Sequence, residues 1–336
     1  MSRNRKLIAI SIGDINGIGI ELLIKCWEEK KINNFVLFTN YKLFKKYLSR
    51  NKYKFSINIT NNLQNYFKYD SRVFNIYNIP SKTNIENTLK SVDYAFNACK
   101  NKFFIGLLTL PLRKDLINKK FKNNFLGHTE YLEKLDNGNI SNMIFIHNNI
   151  KISILTTHLP LRKIIKYISK KNYINDKIIT LKKSLENDFN IKNPTIAISG
   201  LNPHAGENGF IGTEEKSFIK PEINSLRKKG IKIYGPYSGD TMITKTNFNN
   251  FDCYVYFFHD QALPLFKYIS DYNGVNYTSN LSILRASPDH GTAYEIVGTG
   301  KAKYNSILNC IKLLKKINKN KNVKTKKISK SKFSNR

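Results

Sequence analysis

The stretch KLIAISIGDINGIGIELLIKCWEE, residues 6–29, contains three local patterns in a fixed order. Residues 6–12 are a short apolar run typical of a buried strand, residues 13–19 carry three glycines, and residues 20–29 have the apolar spacing of a helix. A strand, a glycine loop and a helix in this order predict the start of an α/β fold. The glycines do not follow the G-x-G-x-x-G spacing, so the ordinary dinucleotide-binding turn is excluded.

Other apolar runs along the chain predict further strands, and residues 84–100 predict an amphipathic helix. The strand candidates are residues 34–40, 103–112, 142–147, 151–158, 195–200 and 253–260. Three of the last four have a histidine at or next to their final position, namely His147, His158 and His259. The other runs into a loop that carries His204. Because ligands of open α/β sheets bind beyond the carboxyl ends of the strands, these loops predict a binding site.

The charge of the chain is extreme, since 56 basic and 24 acidic residues give a net charge of +32. A nucleic-acid partner would explain such a charge. However, only nine of the basic residues are arginine, and lysine, asparagine and isoleucine crowd the whole chain, as AT-rich coding sequence would produce. Recognition of phosphates favours arginine for its bidentate geometry. Compositional drift is therefore the favoured interpretation, and we do not expect nucleic acid as a partner.

Length, apolar content and cysteine placement indicate a two-domain protein of the cytoplasm. The 336 residues suggest two domains at about 150 residues per domain. No apolar run approaches the ~20 residues needed to cross a membrane, so no membrane association is expected. The four cysteines, at positions 26, 99, 253 and 310, include no C-x-x-C pair, which argues against a zinc knuckle or a disulfide framework and for free thiols in a reducing compartment.

The segment ISGLNPHAGENGFIGTEE, residues 198–215, surrounds His204 with glycines and turn-forming residues. Such a composition holds the backbone in special conformations. A single histidine at a strand end is usually an ordinary polar residue, but the loops TTHLPL, NPHAGE and FHDQ supply three, His158, His204 and His259. Imidazole nitrogens suit zinc, cobalt, nickel or iron, and three protein ligands with an open position are a common catalytic zinc arrangement. The pattern therefore indicates a candidate metal site.

Several segments together resemble one enzyme family, the 4-hydroxythreonine-4-phosphate dehydrogenases of vitamin B6 synthesis. The segments are SIGDINGIGIE, GHTEYL, TTHLPLR, LNPHAGENGFIGTEE, GPYSGDT, HDQALPLFKY, GVN and DHGTAYEIVGTGKA, in the family's order and across roughly residues 7–315. The family is related to isocitrate and isopropylmalate dehydrogenases, which bind NAD through an HG-[ST]-A loop. The resemblance thus accounts for DHGTA at residues 289–293 and for the missing glycine-rich turn. In the first segment, Ile15 and Ile20 stand where the family usually has proline.

The resemblance also implies roles for individual residues. One divalent metal (zinc, cobalt, magnesium or manganese) is expected at a dimer interface on His158, His204 and His259. Substrate binding is implied for His128, Thr129, Lys267, Asn276 and Arg285. The general base stays open between Asp240 and Lys267. Binding of NAD or NADP is implied for Asp289, His290, Gly291, Thr292 and Ala293. Hydrogen-bond support of the metal-binding imidazoles is expected from Asn202, Glu207 and Asp260.

The reaction implied by the resemblance is NAD-dependent oxidation of 4-phosphooxy-L-threonine in pyridoxal 5'-phosphate biosynthesis. The product is a β-keto acid that decarboxylates to 3-amino-2-oxopropyl phosphate. The motifs do not settle whether the substrate carries an amino group, so another phosphorylated hydroxy acid, such as threonate or erythronate 4-phosphate, stays open. The alternative from another class is a basic nucleic-acid-binding protein on an inactive dehydrogenase scaffold, and the complete set of three histidines argues against it.

The implied architecture is two α/β/α domains with a cleft between them, as in isocitrate and isopropylmalate dehydrogenases, in a homodimer with shared active sites. We expect residues 1–127 and 288–317 to form the first domain. Residues 128–287 should form the second domain, with the metal ligands and the dimer interface. Residues 318–336 carry like charges and almost no apolar side chains, so a disordered basic tail is expected there.

Overall fold

The computed structural model describes residues 7–63, 69–121 and 125–333, and their side chains as far as residue 323. The chain has a mixed α/β fold, which confirms the predicted fold class. Its contacts form two compact units. Unit 1 is Met1–Asp136 with Ser282–Asn318, and unit 2 is Asn137–Leu281 with Lys319–Arg336.

Unit 1 is built on a parallel sheet. In chain order it contains β1 (Ile8–Ser11), α1 (Ile18–Glu28), β2 (Phe35–Thr39), α2 (Tyr41–Arg50), β3 (Ile57–Thr60), β4 (Phe74–Asn78), α3 (Asn84–Lys100), β5 (Leu107–Thr109), α4 (Lys114–Phe121) and α5 (His128–Leu135). β12 (Arg285–Pro288) and the first part of α10 (Asn305–Phe333) also belong to it. Its strand order is β3-β4-β2-β1-β5-β12, with parallel pairing. Every residue of β1 is buried, as is typical of a central parallel strand.

Unit 2 has a mixed sheet. Its elements are β6 (Asn142–His147), β7 (Ile150–Ile154), α6 (Leu161–Ile168), α7 (Tyr173–Asn187), β8 (Ile196–Ser199), α8 (Lys220–Lys228), β9 (Ile233–Tyr237), β10 (Cys253–Tyr256), α9 (His259–Ser270) and β11 (Val275–Ser279). The strand order is β11-β6-β7-β10-β8-β9. β7, β10, β8 and β9 run parallel to one another, whereas β6 is antiparallel to its neighbours.

The direction of β6 separates one histidine from the others. β6 and β7 form a hairpin in which His147 pairs with Ile150. The carboxyl end of β6 therefore lies at the opposite edge of the sheet from the carboxyl end of β7. His147 is thus placed away from the loops that carry the other strand-end histidines, although the sequence pattern grouped it with them.

The unit boundaries differ from the predicted domain boundaries at two places. α5, which we assigned to the second domain, packs in unit 1: Tyr131 lies against the apolar cluster of Leu89, Ile117 and Phe125, and its hydroxyl donates to Asp93 Oδ1 at 2.6 Å. β12 likewise belongs to unit 1, because it pairs with β5. His128, Thr129 and Arg285 are therefore residues of unit 1.

The C-terminal segment also differs from the expectation of a disordered tail. α10 continues through Phe333, and residues 334–336 lie outside the described residues. Lysine is a good helix former, so a lysine-rich segment can extend an existing helix. Asn320 and Lys321 anchor it in unit 2: Asn320 Nδ2 donates to the carbonyl oxygen of Asp188 at 2.9 Å, and Lys321 Nζ lies 2.9 Å from Asp188 Oδ1.

Candidate active site

Four loops of unit 2 leave its sheet at one edge, and each carries a titratable side chain. β7 is followed by the loop of His158, β8 by that of His204, β9 by that of Asp240, and β10 by His259, the first residue of α9. Since these strands are parallel, their carboxyl ends lie at the same edge of the sheet. This is the edge at which α/β sheets bind their ligands.

His158 and His259 form a close pair at this edge. Their ring centroids are 6.2 Å apart, and the ring planes are inclined by 40°. His259 Nδ1 lies 2.6 Å from Asp260 Oδ1. With the proton on Nδ1, that nitrogen donates to the carboxylate, and Nε2 keeps a lone pair for a cation. A carboxylate beside a metal-binding imidazole commonly makes this contact.

His204 lies in a left-handed turn. Six successive residues, from His204 to Gly209, have φ values between 40° and 95°. For each residue with a side chain, this conformation costs about 1–2 kcal/mol. The turn includes Glu207, which is exposed. Such a run of left-handed residues requires contacts from the surrounding structure that hold it in place.

The carboxylate of Glu215 supplies such contacts. Glu215 is only 2% exposed, and its Oε1 accepts hydrogen bonds of 2.8 Å from the backbone N–H groups of Leu201 and Asn202. Asn202 Nδ2 donates to Glu215 Oε2 at 2.9 Å and to Glu214 Oε2 at 2.8 Å. The structure therefore places Asn202 against two carboxylates, whereas we expected it to hold the imidazole directly.

Gln261 joins the loops of His204 and His259, and Thr156 joins the loop of His158 to that of His259. Its Oε1 accepts from the N–H of Phe257 at 2.9 Å, and its Nε2 donates to the carbonyl oxygen of Gly200 at 2.8 Å. The backbone N–H and Oγ1 of Thr156 donate to the carbonyl oxygen of Phe257 at 3.0 and 2.7 Å. Hydrogen bonds thus connect the segments that lead into the three histidines, at Thr156, Gly200 and Phe257.

Asp240 lies near His204 on the neighbouring loop. Its carboxylate accepts a hydrogen bond of 2.6 Å from Ser238 Oγ. This hydrogen bond and, to a smaller extent, the charge of His204 lower the pKa of Asp240 from its ordinary value. The side chain is therefore ionised at neutral pH.

Lys267 and Asn276 are the other predicted site residues of unit 2. Lys267 lies on α9, two turns after His259, and its side chain is half-buried. Asn276 lies on β11, and its Oδ1 is a buried acceptor with no hydrogen-bond donor among the described residues. A buried polar atom without a protein partner is costly, and a bound substrate or water would satisfy it.

Arg285 is the most buried charged residue predicted to bind substrate. It is 1% exposed in unit 1, and its Nη2 and Nε donate to Thr109 Oγ1 at 2.6 and 3.1 Å. Burial lowers the pKa of its guanidinium to about 10, while the nearby Cys310 and Glu130 act in the opposite direction. Arg285 therefore stays cationic at neutral pH. His128 and Thr129, in the first turn of α5, belong to the same unit.

The predicted cofactor loop, residues 289–293, packs on the glycine loop that follows β1. The N–H of Ile18 donates to the carbonyl oxygen of Thr292 at 2.9 Å. A Cβ on Gly17 would lie 3.0 Å from the Thr292 carbonyl oxygen, which explains the glycine there. Beyond the loop, the Tyr294 hydroxyl donates to Asp14 Oδ2. The N–H of Asp289 donates a hydrogen bond of 3.0 Å to Ser306 Oγ.

Among the described residues, no group of three His, Cys, Asp or Glu side chains is close enough to hold a metal ion within one chain. The pair of His158 and His259 fits part of a coordination shell, and His204 does not complete that shell within one chain. In the same part of the chain, no helix has the length and apolar character needed to cross a membrane.

The model of one protein family, described as pyridoxal phosphate biosynthetic protein PdxA, matches residues 31–314. The chain belongs to this family. A curated relative from Bacteroides thetaiotaomicron, named 4-hydroxythreonine-4-phosphate dehydrogenase, is 33% identical over 323 residues, which are 93% of this chain and 88% of the relative. A PdxA relative of the same name from Wigglesworthia glossinidia brevipalpis is 38% identical over 249 residues, or 74% of each chain.

Solved structures support the same PdxA assignment. The crystal structure of 4-hydroxythreonine-4-phosphate dehydrogenase from Klebsiella pneumoniae matches with a TM-score of 0.79 and 28% identity, over 93% of this chain and 98% of that one. A structure from Salmonella typhimurium, described as a putative enzyme of that name, matches with a TM-score of 0.78 and 28% identity, over 93% of this chain and 99% of that one. Both similarities extend over nearly the whole chain.

Proposed function

We propose that this chain is a 4-hydroxythreonine-4-phosphate dehydrogenase that oxidises 4-phosphooxy-L-threonine with NAD or NADP. The product is a β-keto acid that decarboxylates to 3-amino-2-oxopropyl phosphate on the way to pyridoxal 5'-phosphate. The observation that carries the proposal is the set of His158, His204, Asp240 and His259 at one sheet edge in a member of the PdxA family. The names of the relatives supply the substrate.

We assign one divalent cation, zinc, cobalt, magnesium or manganese, to His158, His204 and His259. Support comes from the 6.2 Å separation of two of the rings and from the Asp260 contact that orients the His259 imidazole. His204 does not complete the group of three within one chain among the described residues, which favours a homodimer in which one chain contributes the pair and the other contributes His204. A divalent cation bound there lowers the pKa of the substrate hydroxyl and polarises the carbonyl group that replaces it.

The remaining site residues bind anions and move a proton. Arg285, Lys267 and His128 are cations or donors suited to a phosphate and a carboxylate, and Thr129 and Asn276 supply neutral hydrogen bonds. The buried Oδ1 of Asn276 is suited to a donor on the substrate, such as its ammonium or hydroxyl group. Asp240, on the loop next to that of His204, and Lys267, on the helix that begins at His259, are the two candidates for the group that accepts the hydroxyl proton.

Residues 289–293 are assigned to the cofactor. The support is the tight packing of Thr292 on Gly17 and Ile18, which fixes the backbone of this loop next to the N-terminus of α1. A helix N-terminus favours the negative charge of a pyrophosphate. We place the enzyme in the cytoplasm, because all four cysteines are free.

The test is an assay of NADH or NADPH formation with a panel of phosphorylated hydroxy acids. We expect turnover of 4-phosphooxy-L-threonine, release of carbon dioxide, loss of activity on chelation and recovery with a divalent metal. Preference for threonate or erythronate 4-phosphate would make the chain a sister enzyme. Full activity in protein shown by elemental analysis to be metal-free would overturn the metal assignment. Inactivity on the whole panel, with nucleic-acid binding that stays tight at physiological salt, would favour a basic nucleic-acid-binding protein on an inactive dehydrogenase scaffold.

A further inference from the structure

We propose that Glu215 is a positioning residue whose carboxylate fixes the left-handed turn of His204 and thereby sets the affinity of the metal site. The proposal deepens the proposed function and rests on it, because Glu215 acts through His204. Glu215 was not among the residues that the sequence pattern singled out. Glu215 follows His204 by eleven residues, so only the folded chain brings its carboxylate to the turn.

Glu215 accepts hydrogen bonds from three donors at the entrance to the turn. The Leu201 and Asn202 N–H groups lie 2.8 Å from Oε1, and Asn202 Nδ2 lies 2.9 Å from Oε2. These donors come directly before Pro203 and His204. The carboxylate thus fixes the backbone at the entrance to the turn, and its burial at 2% exposure keeps water from competing for the same donors.

The carboxylate of Glu215 also fills the space beside two glycines of this segment. A Cβ on Gly206, in the middle of the turn, would lie 2.6 Å from Glu215 Oε2. A Cβ on Gly200, just before the turn, would lie 3.2 Å from Oε1 and 2.6 Å from the Cα of Ala205. The carboxylate therefore occupies the inner side of the turn, and the backbone closes around it. Few other side chains could satisfy both the shape and the donors of this space.

Glu215→Gln is the smallest informative change. It keeps the size of the side chain but replaces one acceptor oxygen with an NH2 group. That group would face the Nδ2 donor of Asn202, so one contact changes from attraction to repulsion. The matched control is Glu222→Gln, also in unit 2, where the carboxylate accepts from the N–H groups of Asn172 and Asn175 at 3.2 and 3.3 Å. Both variants lose one charge and weaken contacts to backbone N–H groups.

The first readout is amide hydrogen exchange in metal-free protein. In Glu215→Gln we expect exchange at Leu201, Asn202 and residues 204–209 to become at least about tenfold faster, with unchanged exchange in β7 and β10. Glu222→Gln should leave exchange in the turn unchanged. Wild-type exchange of the turn in folded Glu215→Gln would overturn the proposal.

The second readout is zinc affinity, measured by competition with a chelator. Loss of a residue that supports a metal ligand typically weakens binding about 10- to 100-fold, and we expect a loss of that size in Glu215→Gln. Zinc binding by Glu222→Gln should stay within about twofold of wild type, and NAD affinity should be unchanged in both variants. A loss of NAD affinity equal to the loss of zinc affinity would indicate general damage and would overturn the positioning role.

Two further variants keep the test decisive. If Glu215→Gln does not fold, Gly206→Ala should give the same local pattern, because its Cβ would displace the carboxylate from the turn. Wild-type exchange and zinc affinity in Gly206→Ala would then contradict the proposal. His204→Ala distinguishes failure of the metal assignment from failure of the role of Glu215 in the turn. If it binds zinc as tightly as wild type, the metal assignment fails, together with the link from Glu215 to metal affinity, while the exchange data still report on the turn.

Discussion

The side-chain Nε2 of Gln261 donates a hydrogen bond of 2.8 Å to the backbone carbonyl oxygen of Gly200. This bond ties the first turn of α9, which begins at His259, to the end of β8, four residues before His204. The amide also accepts from the N–H of Phe257. One neutral side chain therefore sets the spacing of two loops that carry proposed metal ligands.

Gln261→Leu should loosen both loops. The N–H of Phe257 and the carbonyl oxygen of Gly200 would each lose a partner, so we expect the free energy of unfolding to fall by about 1–3 kcal/mol. Zinc affinity should fall as well. Urea unfolding and zinc competition measure the two effects. Ser199→Ala is the matched control, because its hydroxyl makes only a 3.4 Å contact to Gln261 Oε1. A Gln261→Leu protein with wild-type zinc affinity would contradict the role of this bond.

Mixed dimers should reveal how the metal ligands are divided. His158 and His259 lie together, and His204 does not complete their group within one chain among the described residues. Each homodimer of His158→Ala, His204→Ala or His259→Ala lacks one proposed ligand at both of its sites, so we expect all three to be inactive. After joint unfolding and refolding, His204→Ala should regain activity when mixed with either of the other variants. Each such heterodimer has one site that collects both defects and one intact site.

The mixture of His158→Ala with His259→Ala is the control for that experiment, because both defects belong to the same chain's contribution. It should stay inactive. Inactivity of all three mixtures, with wild type refolding well and heterodimers demonstrated, would show that each metal site is built within one chain.

Arg285→Ala should lower kcat/KM by a larger factor than any loss of stability explains. Loss of a charge-assisted hydrogen bond to the substrate should cost about 2–3 kcal/mol, or some 30- to 150-fold in kcat/KM. Thr109→Val is a suitable control, since it removes the hydroxyl that Arg285 contacts but keeps the guanidinium. Steady-state kinetics and urea unfolding on both variants separate the two roles. Wild-type kcat/KM in folded Arg285→Ala would rule out substrate binding by this residue.

Two truncations should differ in stability. Removal of residues 324–336 leaves Asn320 and Lys321 in place, and the free energy of unfolding should change by less than about 0.5 kcal/mol. Removal of residues 319–336 takes away both contacts to Asp188 and should cost about 1–3 kcal/mol. In that shorter protein the buried carboxylate of Asp188 would keep only its 2.8 Å hydrogen bond from the Tyr277 hydroxyl among the contacts named here. Equal stability of the two truncated proteins, measured by urea unfolding, would show that these contacts are unimportant.

Local patterns predicted much of the fold, because strands and helices are specified by short stretches. The run at residues 6–29 became β1, the glycine loop and α1, and the chain is α/β as expected. Directions of strands are not local, however. Nothing in NMIFIH, residues 142–147, distinguishes an antiparallel strand from a parallel one, so the displacement of His147 could not be foreseen.

The supporting residues were hidden from the sequence for a related reason. His158, His204 and His259 are recognisable by residue type and by their place after strands. Glu215 and Gln261 are ordinary polar residues whose role depends on which backbone groups face them in the folded chain. The final segment shows the same limit, because its charge pattern predicts disorder whereas Asp188, more than a hundred residues earlier, gives Asn320 and Lys321 a partner.

The left-handed turn also limits how far mutation can change this part of the gene. The chain is rich in lysine, asparagine and isoleucine, whose codons are rich in A and T, yet residues 198–215 contain no lysine and four glycines. Every glycine codon begins with two G bases, so AT-directed mutation would replace these glycines unless the fold requires them. At Gly200, Gly206 and Gly212 a Cβ would approach other atoms to 2.6 Å, so a replacement distorts the turn. The close packing of the turn, which includes the side chains of Glu215 and Asn202, thus requires glycine codons at these three positions.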